Sequence, residues 1–428
     1  MLKVLEQATV AARQGNWSLL NQCLQQLPLG NAAVSPLTDS DLEQALNLAL
    51  SVLDAGDFQE RWDVAKVFPK LGKVAIAPLI ELLEDEEAEL EARWFAGRIL
   101  GNFDDASVVT RLVNVLHTST DSELTAMAAT ALANFGTRAI EGLTPLLEKP
   151  ESRVLAVRSL SQIRHSQTIP PLLGVVDDPD ITVRLTAIES LSSFHDSRIP
   201  PLLLKALKDS SAAVRKEAVT GLGLRADLQE ELDLLNGIKP LLYDFNAEVC
   251  AAAAIALGRL GTSEATAALF AVLKSPATPM PLQIAFIRAL AWVETAQTLE
   301  YLQQVLSWSL EEPALEIIGV LGRLDSPTLK PKAAQILIDF FNSQHPIAKL
   351  TAVKQALALA WGELGELEAT NALITQLAEP TTSVRLHAIA ALKKLDAYPK
   401  LQQLASDNNL APELKQGVAI ALAEWSVK

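Results

Sequence analysis

Cysteine is almost missing from this chain: Cys23 and Cys250 are the only two among 428 residues. Two thiols cannot build a disulfide framework or a lone four-ligand zinc site, and so low a count suits a reducing compartment. Aromatics are scarce too, 5% of a chain that is 49% hydrophobic. The apolar surface therefore consists mainly of Leu, Ala, Val and Ile, the mixture that packs helix against helix. Positive charge is short, with 36 Lys and Arg against 51 Asp and Glu and a formal net charge of −15. A field of that sign repels phosphate backbones and anionic lipid, which argues against nucleic acid as a partner. The longest run of small apolar residues, Cys250 to Leu257, falls far short of the ~20 residues that span a bilayer. The opening Met1-Leu2-Lys3-Val4-Leu5-Glu6 is amphipathic, unlike the apolar core and cleavage site of a leader. These features predict a cytoplasmic, acidic, all-helical protein without membrane insertion.

Motifs that carry chemistry are missing as well. Gly221-Leu222-Gly223 lies inside a helical pattern and follows no strand, so it is no phosphate loop. There is no Gly-x-Ser-x-Gly elbow and no His-Glu-x-x-His. The five histidines are scattered; His165 and His195 end successive predicted helices, a place the helix dipole favours for histidine. Cys23 and Cys250 each sit among apolar neighbours and read as buried, inert thiols. No catalytic residue and no metal ligand set is predicted.

What the chain does have is a repeat. Its clearest copy runs from Val183-Arg184 through Ala187-Ile188 to Leu191 and Phe194. With the Arg slot as anchor, it recurs at Arg61, Arg93, Thr125, Arg153, Arg184, Arg215, Cys250, Gln283, Ala314, Lys354, Arg385 and Lys415. The intervals run from 28 to 40 residues and average about 32. The anchored segment is apolar on one helical face, and a second amphipathic stretch precedes it, as in Ile199-Pro200-Pro201-Leu202-Leu203. Each unit is thus two helices, and because one pair cannot bury its own apolar face, the pairs must stack. The predicted fold is an all-α, α–α superhelix of about a dozen helix pairs with no β-sheet. Residues 1–56 form an N-terminal helical cap, with helices over 2–14, 17–27 and 40–54 and a loop over 28–36. Residues 57–428 form one continuous solenoid with irregular joints near 226–237 and 325–347.

The pattern Val-Arg-x-x-Ala-x-x-x-Leu-Gly-x-Leu at Val214-Arg215…Ala218…Leu222-Gly223-Leu224 resembles the HEAT repeat, and more narrowly the HEAT-like repeats named after phycobilisome lyases. Acids six residues before the anchor recur at Glu87, Asp178, Asp209, Asp244 and Glu379. The resemblance implies that these acids and the Args form a ladder between adjacent repeats, interrupted at Thr125, Cys250, Gln283 and Ala314. It also implies three functions between which it does not choose. One is a non-enzymatic protein-interaction scaffold in pigment–protein assembly or turnover. Another is a bilin lyase or tetrapyrrole carrier, which would make a tetrapyrrole the one cofactor to consider. The third is a partner of iron–sulfur assembly proteins.

In HEAT solenoids the anchored helices line the concave face, so the variable slots on them are where a partner would be read. The slot after the anchor holds Trp62 and Trp94 in successive repeats, where most other copies carry Ala, Leu or Gln. With Lys66, Lys70, Arg98 and Arg158 they form the primary candidate patch for a protein partner or a planar anionic ligand. Arg259, Arg288, Trp292 and Arg323 form a secondary one. The competing interpretation is that the indoles pack between repeats while the bases form a solvated face.

Overall fold

The computed structural model describes residues 2–29, 37–407 and 409–425. Among them there is no β-strand, and the chain is an all-α stack of helix pairs. The polypeptide forms two compact units, Met1–Phe194 and His195–Lys428. In the first unit the helices are α1 Leu2–Arg13, α2 Trp17–Gln26, α3 Asp39–Ala55, α4 Phe58–Ala65, α5 Phe68–Leu71, α6 Ile76–Glu84, α7 Leu90–Leu100, α8 Ala106–Thr118, α9 Ser122–Asn134, α10 Thr137–Leu143, α11 Pro150–Gln162, α12 Ile169–Leu173 and α13 Ile181–Ser192. The three helices expected over 1–56 are α1 to α3. Of the loop expected over 28–36, residues 30–36 lie outside the described residues. Thr38 with Asp41, and Asp57 with Glu60, form reciprocal capping boxes that set where α3 and α4 begin.

All twelve anchor positions fall on helices, and in every one the anchor is the fourth residue. The second unit's anchored helices are Ala212–Gly223, Ala247–Leu260, Met280–Trp292, Glu311–Gly322, Thr351–Leu364, Thr382–Lys394 and Pro412–Trp425. The position has a physical reason. Helical side chains lean toward the N-terminus, so a long donor in the first turn reaches back over the helix start. There it meets carbonyls left without partners where the preceding helix ends. Arg153 donates to Leu147 O at 2.6 Å, Arg184 to Asp178 O at 2.8 Å, Arg215 to Asp209 O at 2.8 Å and Arg385 to Glu379 O at 2.7 Å. Each acceptor lies six residues before its anchor. Cys250 keeps the same bond through sulfur, to Asp244 O at 3.1 Å. The anchor therefore ties together the two helices of its own pair.

Three rungs of the expected ladder join an anchor to the acid of the next repeat. Arg153 pairs with Asp178 at 2.7 Å, Arg215 takes both carboxylate oxygens of Asp244 at 2.7 and 2.8 Å, and Lys354 pairs with Glu379 at 2.7 Å. At the first rung the expected acid, Glu87, is bypassed. Arg61, only 2% exposed, pairs instead with Glu89 and, at 2.9 Å, with Glu91.

A third regularity sets the spacing between repeats. A Cβ built on Gly223 would stand 2.9 Å from the Cβ of Ala256, and one on Gly322 would stand 2.7 Å from the Cβ of Ala360. Gly101 meets Ala131 in the same way at 2.9 Å, and Gly362 meets Ala391 at 3.1 Å. The glycine is always eight residues after its anchor, and the alanine six residues after the next. In each of these four pairs the anchored helices are thus in van der Waals contact at backbone level, displaced by two residues in register.

Within the second unit, the segment after Leu224 replaces a single outer helix with a 3₁₀ turn and two short helices, Gln229–Leu232 and Leu234–Ile238, hinged at Asp233 with φ 49°. Farther on, the helix Lys330–Asn342 is followed by a 3₁₀ turn at Pro346–Lys349.

The ladder carries a testable consequence. In Arg215→Ala, a bidentate pair whose side chains are 16% and 10% exposed is lost together with the carbonyl bonds of the anchor. Breaking a well-buried pair costs about 3–5 kcal/mol; here partial exposure reduces that to about 2–3 kcal/mol. Denaturant unfolding measures the loss, and faster hydrogen exchange across 199–260 locates it. The hydrogen bond from Arg215 holds the Asp244 carboxyl below the usual carboxylate range. Its contribution is complete above the unfolded carboxylate pKa and is lost as the pH falls through the lowered value. The gap between wild type and variant should therefore shrink in acid; a gap that stays constant there contradicts the assignment.

Candidate functional site

The anchored helices α4, α7 and α9 lie side by side, each held by the contacts just described. The residue after the anchor is Trp62 on α4, Trp94 on α7 and Ala126 on α9. That step from two indoles to a methyl opens a groove of about 1120 Å³ over α9, lined by Phe58, Trp62, Trp94, Arg98, Met127, Asn102 and Asn134 among others. Both tryptophans are half-buried, and both stand edge-on to the fully buried Phe95, with centroids at 6.5 and 5.1 Å. Phe58, 56% exposed, stacks beside Trp62 at 6.1 Å. The indoles are therefore rooted in the core and open to the groove at once.

Arg98, one turn beyond Trp94, packs against both rings. Its guanidinium carbon is 3.6 Å from the Trp62 centroid and 5.4 Å from that of Trp94. The ring faces attract the cation, while partial burial lowers the guanidinium pKa from its ordinary value. Among the described residues no acceptor takes a hydrogen bond from this side chain. The rim is acidic. Glu89 and Glu91 line it while paired with Arg61, which holds the Glu89 carboxyl below its usual range; Glu123 lines it exposed and without a described partner.

The structure thus brings together Trp62, Trp94 and Arg98 from the primary patch. Lys66, Lys70 and Arg158 are exposed and do not line the groove. Lys66 pairs with Asp63 at 2.8 Å, and its hydrogen bond, with that of Gln59, holds the Asp63 carboxyl below the ordinary range. The groove contains one base and three carboxylates. In the secondary patch Arg288 is matched by Glu316, with both bonds at 2.8–2.9 Å. Arg288 and Arg323 share a hollow of about 310 Å³ with Glu312 and Glu316, whereas Arg259 and the 73%-exposed Trp292 lie outside it. Sequence inspection passed over Phe58, Met127, Asn102, Asn134 and the acids of the rim. Asn102 and Asn134 were detectable as the same slot of two successive repeats. Phe58 and Glu91 enter only through the way α4 stacks on α7.

Other candidates resolve simply. Cys23 and Cys250 are buried and free, and burial pushes the Cys250 thiol up. His165 caps a 3₁₀ turn by accepting from Gln167 N at 3.2 Å. Among the described residues no group of three His, Cys, Asp or Glu is placed to hold a metal, and no helix is long and apolar enough to cross a membrane.

The twelvefold anchor and the stacked pairs point to one repeat family, and direct comparison agrees. The family model for HEAT repeats matches residues 76–155, 140–223, 176–238, 199–280 and 235–311, together more than half of the chain. The chain is a HEAT-repeat protein. Among solved structures, this HEAT chain is similar to Kap121p bound to RanGTP, with 15% identity, a TM-score of 0.59, and coverage of 90% of this chain and 49% of that one. It is also similar to importin beta in an ammonium sulfate condition, with 15% identity, a TM-score of 0.51, and coverage of 97% and 63%. The HEAT chain spans less than two thirds of importin beta and about half of Kap121p, and likeness at this identity shows the fold alone. No curated protein matches it.

Proposed function

We propose that this HEAT-repeat protein is a non-enzymatic scaffold, and that its partner protein is held in the groove over α4, α7 and α9. One observation carries the proposal: two indoles rooted in the core pack against a guanidinium whose donors meet no acceptor among the described residues. Such an aromatic and arginine cluster in a recess is the composition of a binding hot spot. A solenoid of the same fold, Kap121p, is found bound to RanGTP. The narrower resemblance to phycobilisome-lyase repeats supports a role for the scaffold in assembly or turnover of pigment proteins.

A second reading, a tetrapyrrole carrier or bilin lyase, draws on the same indoles as stacking surfaces. The groove's charges work against it. A ligand with two propionates wants two bases, and the lining offers one base among three carboxylates. Two experiments test the proposal. Proteins retained by the immobilised wild-type chain from its native extract should be lost with Trp94→Ala combined with Arg98→Glu; the same proteins at the same yield would overturn it. Free bilin mixed with the protein should keep its absorption spectrum, and a red-shifted, sharpened band would favour the carrier.

A further inference from the structure

The charges of the groove specify its occupant. The Arg98 guanidinium packs against two indoles, Trp62 at 3.6 Å and Trp94 at 5.4 Å, and its planar edge meets no acceptor among the described residues. That edge carries the N–H donors, arranged as a fork that matches a carboxylate. Glu123 lines the same groove from α9 and has no described partner. Their separation follows from the register. Gly101 stands against Ala131, so Glu123 is level with Arg93, five residues before Arg98. Five residues are about 7.5 Å along a helix axis, and neighbouring axes lie about 8–10 Å apart. Their backbone positions are therefore about 12 Å apart, which is three or four residues of extended chain at about 3.3 Å each. Asn102 and Asn134 occupy one slot of consecutive repeats, just past the end of α7 and at the last residue of α9. Their side-chain amides donate to backbone carbonyls, and their carbonyl oxygens are left to accept from a peptide N–H.

We propose that the groove binds an extended segment of a partner protein bearing an acidic side chain at Arg98 and a basic one at Glu123, three or four residues apart, with an apolar side chain between them over the indoles. The proposal rests on the protein-binding reading above and adds to it the chemistry of the segment.

The test is selection of a random peptide display library on the whole chain, with Trp94→Ala, Arg98→Gln and Glu123→Gln as parallel targets. Circular dichroism checks that each variant keeps its helical content. Wild type should enrich peptides carrying an acid and a base at that separation around an apolar residue. Arg98→Gln should lose the preference for the acid and bind the wild-type selections about tenfold more weakly. Glu123→Gln should lose the preference for the base alone. Peptides that depend on Trp94 but show no charge pattern, or whose pattern survives both charge substitutions, overturn this inference and leave the scaffold reading standing. If wild type enriches nothing beyond what Trp94→Ala enriches, both fail.

Discussion

Gly322→Leu is expected to pry the helix Glu311–Gly322 away from the helix Thr351–Leu364 and to destabilise the second unit by about 3 kcal/mol. A Cβ at Gly322 already falls 2.7 Å from the Ala360 Cβ and 2.8 Å from its Cα, so three further carbons have backbone, not flexible side chain, in their way. The neighbours cannot rotate aside, because Ile318, Leu321 and Trp361 around the contact are completely buried. Adjacent repeats touch mainly one another, so the damage should stay local. Hydrogen exchange should quicken over 311–364 while α7 to α11 keep their protection. Gly319 in the same helix supplies the control. A Cβ there meets only the far end of Arg323 at 3.8 Å, so Gly319→Ala should stabilise by about 0.5–1 kcal/mol through helix propensity. Equal effects from the two substitutions would contradict the glycine–alanine register.

The second large effect concerns binding. Trp94→Ala with Arg98→Glu should weaken partner binding by far more than thirtyfold. Truncation of a central aromatic anchor alone costs about 2 kcal/mol or more. The glutamate then adds repulsion to a rim that already carries Glu89, Glu91 and Glu123. Lys66→Glu and Arg158→Glu remove bases from the same patch as read in sequence, but neither residue lines the groove. Each should leave affinity within about twofold, as expected of charges outside a desolvated contact. Titration calorimetry with the captured partner measures all three. If the lysine and arginine reversals cost as much as the double variant, binding follows the basic patch and not the groove.

The contrast shows where sequence inspection succeeds and where it stops. The anchors, the helix pairs and the small residues between helices were legible because one packing requirement is written twelve times, and each copy confirms the others. Glu89 and Glu91 replacing Glu87 at the first rung was not legible, because the segment before α7 offers several acids and only the path of the backbone chooses among them. The groove was half legible. Trp62 and Trp94 stood out by slot, and Arg98 by its place one turn on. That Arg98 leans back over the tryptophan of the previous repeat, while Lys66 folds onto Asp63, depends on side-chain geometry that periodicity does not encode. A list of bases therefore reads as a basic patch, whereas the folded surface is apolar with an acidic rim.

The measurement that bears most directly on the groove as the partner's seat is site-specific photo-cross-linking. A photoreactive side chain is placed at Ala126, on the groove floor, and in a second protein at Thr110, on α8, which lines a separate hollow. Irradiated with the captured partner, the Ala126 protein should yield a single cross-linked partner segment, lost on addition of Trp94→Ala, and the Thr110 protein should yield none. Cross-linking from Thr110 with equal or greater yield, or from Ala126 regardless of Trp94, would place the partner elsewhere on the molecule.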